Sequence, residues 1–277
     1  MSETAEVKRE YWNNGKLKSE THYKNGEREG LETAWYESGQ KEGEGDYKDG
    51  TLERMTLWYE SGGIMKETSY KDGEGLITTW YESDQKESET HYKDAQENGL
   101  AITWYESGQK MGECHYKDGE EDGLHTEWYP SGQKMGECHY KDGKKEGLST
   151  MWYPSSKLMS KSHFKNGIEN GVQTEWYETG GKESQSHNEQ GELDGTVTTW
   201  FESGGKKSVE HYKEGKPDGV ATEWDENGNQ KEEEIEERPE KNKAEQVLKP
   251  TEPKLGEWIW FAFCLATLIA VLTLLFK

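Results

Sequence analysis

Residues 104 to 127 read W-Y-E-S-G-Q-K-M-G-E-C-H-Y-K-D-G-E-E-D-G-L-H-T-E, and the phrase begins again at Trp128. Tryptophan recurs at Trp35, Trp58, Trp80, Trp104, Trp128, Trp152, Trp176, Trp200 and Trp224, in steps of 23, 22 and then six of 24, and Tyr11 sits 24 residues before Trp35. A fixed period of this length is the mark of a repeat array, in which each unit buries its apolar face only against its neighbours. Counting each tryptophan as position zero, every aromatic ring from Tyr11 to Trp224 falls at zero, plus one or plus twelve. Among these slots only Asn188, Asp225 and Glu236 lack a ring, and two of the three lie in the last unit, as fraying of a terminal repeat requires.

Two turn signals divide each unit, one around Ser107 and Gly108 and one from Asp118 to Gly123. The segments between them are rich in Trp, Tyr, Thr and Leu and have strand length, so each unit is expected to be a β-hairpin. The expected fold is all-β: an elongated array of ten hairpins in one antiparallel meander, at roughly 10 Å per unit from two strand spacings. With the second turn centred near plus seventeen, the small residues at plus eight and plus ten are expected to lie under the indole rings. Gly112, Cys114, Gly136 and Cys138 are examples. A second face would then carry Tyr, His, Glu and Lys.

Composition limits the function. The chain has 277 residues, 34 Lys plus Arg against 56 Asp plus Glu, a net charge of −22 and 30% hydrophobic residues, with a mean hydropathy of −1.20. Such a balance argues against a thick-cored globule and against nucleic acid, which rewards clustered cations. No nucleophile elbow, phosphate-binding glycine loop, zinc-protease helix or Cys-x-x-Cys pair occurs in the sequence. No catalytic residue, cofactor or metal is therefore expected.

The phrase W-Y-E-S-G-Q-K, followed by Y-K-D-G and G-L-x-T, resembles the bacterial variant of the MORN repeat over residues 11 to about 230. The resemblance implies a β-hairpin meander that serves as scaffold, tether or accessory module. Some bacterial proteins with the variant repeat are labelled antitoxins, so an inhibitor of a toxic partner protein is an alternative, and a lipid-associated array bridging membranes is a further one. Departures from the pattern mark places to expect a bend or irregular loop. They are the short second and third units, Asp84 and Ser156 in place of one turn glycine, and Ala95 in place of another.

Outside the array, residues 1–10 are polar and are expected to be disordered, and residues 231–256 form a charged linker containing Pro239, Pro250 and Pro253. Trp258 to Phe276 is a run of 19 residues without a charge, which spans roughly 28 Å as a helix. Residues 257–277 are thus expected to be a transmembrane tail anchor. No apolar signal segment precedes the repeats, so they are expected to face the cytosol as the body of a single-pass, tail-anchored protein.

Candidate contact residues come from what the second face repeats. Tyr36, Tyr59, Tyr81, Tyr105, Tyr129, Tyr153 and Tyr177 at plus one are aromatic, the class in which interface energy concentrates. Histidines at plus eleven, including His91, His115, His139 and His163, stand roughly 10 Å apart, too far to share one metal ion, and are expected to form a solvent-facing ladder. By the same spacing Cys114 and Cys138 are expected to be free thiols. The nine tryptophans are the structural anchors, and the expected partner is a protein.

Overall fold

The computed structural model describes residues 4–231. The expected anchor, and all of the expected linker but Lys231, lie outside the described residues. Among the described residues no helix is long and apolar enough to cross a membrane.

These residues form one antiparallel sheet of 23 strands. It begins earlier than expected: Ala5–Tyr11 is not disordered but a strand, paired with Leu17–Lys24 from Ala5↔Lys24 to Tyr11↔Leu17. The hydrophobic periodicity of the repeat does not extend to this strand, which is exposed throughout and takes its order from the ladder of its partner.

The second turn is tighter than expected and lies nearer the preceding tyrosine. Lys141 opposes Lys144, leaving Asp142 and Gly143 as a two-residue loop with φ of 47° and 70°. Positive φ at both residues is the type I′ turn, whose twist matches that of the flanking strands. The pairs Asn25-Gly26, Asp49-Gly50 and Asn166-Gly167 repeat it. At Asp94-Ala95 the alanine takes a φ of 63°, so the two-residue turn between Lys93 and Gln96 is kept. Asp84 and Ser156 likewise adopt φ of 63° and 64° in the first turn, and their N–H groups donate to Tyr81 and Tyr153 as the replaced glycine does elsewhere.

The short units are also the regular ones. From Lys66↔Thr79 to Lys71↔Glu74 the ladder of the 22-residue unit runs without a break. The 23-residue unit shifts register by one residue between Asp46 and Tyr47, and a 24-residue unit by two between Cys138 and His139. The extra residues are thus β-bulges opposite the plus-eleven histidines. In the 24-residue units a glycine opens the bulge, at a φ of 81° at Gly147 and, in a region that side chains all but exclude, 133° at Gly123 and 119° at Gly171; the one-residue bulge of the 23-residue unit holds Glu53.

Moving the turn changes the faces. Gly136 opposes Glu127 and Met151, and Cys138 opposes His125 and Ser149. The residues at plus eight and plus ten therefore share a face with the residues one and three before each tryptophan, and with the plus-twelve tyrosine. Trp128 follows Glu127 and so points to the opposite side, with Thr126 and Glu137. The expectation that the indoles cover the small residues is overturned, because plus ten meets the residue three before the next tryptophan and not the tryptophan itself, and an odd displacement exchanges the faces. The small residues are instead the packed side: Cys114 and Cys138 are buried and form no disulfide, and a Cβ on Gly43 would meet Leu57 at 2.9 Å.

Candidate interaction surface

The plus-one tyrosines have a structural use. Each hydroxyl donates to the carbonyl of the next tryptophan: Tyr36 to Trp58, Tyr59 to Trp80, Tyr81 to Trp104 and Tyr105 to Trp128, at 2.8–2.9 Å. Tyr129, Tyr153 and Tyr177 continue the ladder to Trp152, Trp176 and Trp200. At its start the Trp12 indole Nε1 donates to Trp35 O at 3.0 Å. Burial, with nearby glutamates such as Glu87 and Glu106, raises the pKa of these phenols, keeping them as donors. The ladder stops at Phe201, which has no hydroxyl to reach Trp224. Tyr129→Phe is expected to cost about 1 kcal/mol in a urea melt, the net value of one such bond. Phe201→Tyr is expected to return a similar amount, seen as slower hydrogen exchange in residues 222–230; unchanged exchange would show that the rung does not form.

On the indole face three rows cross the strands. Nearest the first turn, Trp alternates with Lys: Lys86, Lys110 and Lys134 place Nζ 5.3–5.8 Å from the rings of Trp104, Trp128 and Trp152. The same lysines bond Glu89, Glu113 and Glu137, which alternate with threonines such as Thr126 to make the middle row. In the third row the plus-eleven histidines stand opposite leucines: His91 with Leu76, His115 with Leu100, His139 with Leu124 and His163 with Leu148. Leu148 is 42% exposed and Leu124 37%, large values for side chains repeated at one register. His91 and His163 each hold Nδ1 against a strand carbonyl, at 2.8 and 3.1 Å. That contact fixes the ring and makes Nδ1 the protonated nitrogen of the neutral form.

The opposite face holds a residue that the periodicity passes over. His125 is the one histidine of eight outside plus eleven. It is buried, directly opposite Cys138, with its ring 5.6 Å from that of Tyr140. Its Nδ1 lies 3.1 Å from Glu121 Oε1 and its Nε2 3.7 Å from Glu127 Oε1. Burial works against the charged ring, but hydrogen bonding and attraction from the two glutamates outweigh it and raise its pKa to about 9. Departure from the plus-eleven register is the sequence signal that marks it. Among the described residues no cluster of His, Cys, Asp and Glu is arranged to hold a metal ion.

No curated protein matches the chain in sequence. Among solved structures, a TarM variant from S. aureus, in complex with fondaparinux, alpha-GlcNAc-glycerol and UDP, aligns at 8% identity over 34% of this chain and 19% of that one, with a TM-score of 0.25. Another TarM structure aligns at 11% identity over 42% and 20%, with a TM-score of 0.22. The chain thus spans about a fifth of the length of those proteins, and likenesses so slight say nothing of its function. The model of the MORN repeat variant matches residues 7–25, 28–49, 73–94, 97–118, 121–142 and 145–166. Each segment begins on or one residue before the strands that lead to the paired aromatics, and each ends on the first left-handed residue of the type I′ turn, as at Asn25, Asp49 and Asp142. The structural unit therefore coincides with the matched segment wherever the match falls, and the chain is similar to the MORN repeat variant over those six segments.

Proposed function

We propose that this chain is a non-enzymatic interaction array that binds a protein partner and is tethered to a membrane, repeats facing the cytosol, by residues 258–276. The observation that carries the binding half is the indole face, where one arrangement of Trp, Lys, Glu, His and Leu recurs from unit to unit, with Leu124 and Leu148 exposed and Leu76 and Leu100 half-buried. Exposed apolar rows repeated at one register favour contact with a partner over mere solvation. The tether rests on the uncharged run from Trp258 to Phe276.

In-cell crosslinking with mass spectrometry, on the full chain and on one ending before Trp258, tests both halves. The expected result is one stoichiometric protein captured by both forms, with only the full chain in the membrane fraction. Capture of lipid without any reproducible protein would overturn the binding reading, and a full chain found in the soluble fraction would overturn the tether.

A further inference from the structure

We infer that the partner segment received by the indole face is a basic polyproline II helix lying along the array, one three-residue turn to each repeat unit. The inference rests on the protein-binding reading above and adds the occupant's conformation and charge.

Period selects the conformation. Two strand spacings set equivalent residues ~9.6 Å apart. A polyproline II helix advances ~9.3 Å in three residues and then presents the same side again, so four units accumulate a mismatch of only about 1 Å. Seven residues of α-helix advance ~10.5 Å, and four units put that helix about 4 Å out of step. An extended strand covers a similar distance in three residues but reverses its side chains, since its period is two.

The surface chemistry agrees. The row of Trp and Lys and the row of Leu and His are separated by four residues along a strand, roughly 13 Å, with the row of Thr and Glu between them. Whereas Trp12 spends its indole N–H on Trp35, Trp104, Trp128 and Trp152 make no hydrogen bond through theirs within the described residues, and none of these nitrogens is buried. An aromatic row with available donors suits polyproline II, whose backbone carbonyls are all unpaired and whose ordering entropy is already low. Charge completes the description. Glu60, Glu82 and Glu106 stand exposed just beyond the Trp-Tyr pairs of three successive units, Pro130 and Pro154 take this place in the next two, and Glu178 resumes it; none of the four glutamates has a cation paired to it among the described residues. Unpaired carboxylates at the period of the array favour a partner with Arg or Lys at every third position.

The test is fluorescence anisotropy of the full chain in mild detergent with labelled peptides of two, three or four Leu-Pro-Arg triplets. The control is a block peptide with the composition of the longest, its leucines first, then its prolines, then its arginines. Affinity is expected to rise about tenfold or more from two triplets to four, as each added turn engages another unit. The block peptide is expected to bind about tenfold more weakly. Trp128→Phe with Trp152→Phe, which keeps a ring and removes the donor, is expected to lose about tenfold. Leu124→Ala with Leu148→Ala, at exposed positions that the fold does not need, is expected to lose about fivefold. Equal binding of block and periodic peptides, or no loss in the leucine variant, would overturn the inference. If crosslinking captures a protein without a proline run of period three, this inference fails while the protein-binding reading stands. If neither peptide nor protein binds, both fail.

Discussion

Gly123→Ala is expected to destabilise its unit by about 3 kcal/mol, the upper end for a backbone forced into a sparsely populated region. Gly123 has a φ of 133°, which side chains all but exclude, and an added Cβ would stand 3.3 Å from the Cβ of His115. The neighbouring atom belongs to the rigid root of the histidine and cannot swing away. Gly119→Ala supplies the comparison. Its φ of 83° lies in the left-handed region of the type I′ turn, where Ala95 already sits at 63°, so the expected cost is only about 1 kcal/mol. Urea denaturation followed by hydrogen exchange in residues 121–128 separates the two. Because each repeat is held only by its neighbours, the Gly123 variant is expected to open locally before the rest of the array. Equal costs for the two substitutions would mean that the bulge relaxes, and that its glycine is not required by conformation.

A second large effect is expected from pH, through His125. Its pKa rises from 6.5 to about 9 in the folded chain, so the folded state binds the proton more tightly than the unfolded one. The stabilisation is therefore complete below pH 6.5 and is lost as pH rises through 9, on the order of 3 kcal/mol in all. His125→Gln removes the cation and leaves Glu121 and Glu127 facing each other across a buried site. At about pH 6 this variant is expected to be less stable than the parent by about 3 kcal/mol, and by about pH 10 the difference is expected to close. Comparing the two chains at each pH cancels the titration of surface lysines and of the tyrosines. A difference that stays constant across this range would show that His125 acts by packing against Tyr140 and Cys138 and not by charge. The charged ring has a local structural meaning, since it is the counter-ion for two carboxylates on the face that the array packs most closely.

The lengths of the units illustrate how a linear reading misleads. Deletions of one and two residues near Asp49 and Asp72 suggest irregularity only while the majority length is read as the regular one. The ladder shows the reverse: 22 residues close a plain hairpin, and the two further residues of the common unit are a bulge opened by a glycine at positive φ. The plus-one tyrosines give a related lesson. Their recurrence is plain, but recurrence is equally the property of a contact surface and of a structural ladder, and only the distance from each hydroxyl to the next tryptophan carbonyl separates them.

Recurrent spacing of Trp35 through Trp224, turn dipeptides such as Asn25-Gly26 and Asp142-Gly143, and strand-length segments between them are enough for the hairpin, its antiparallel pairing and its repetition, since these depend on local backbone preference and on period. The plus-eleven histidines and the absence of a disulfide between Cys114 and Cys138 follow from the same spacing. Which residues share a face does not, because it turns on where each hairpin closes, and the closure at plus fourteen and plus fifteen moves each partner by an odd number of residues from the place that composition suggests. His125 stands out in the sequence by its register, but its partners do not: its proton is held by Glu121, two residues past the turn, and by Glu127, next to a tryptophan, and only a closed bulge brings both to one ring. Period is a one-dimensional property that a sequence carries openly, whereas register across strands depends on where each turn closes.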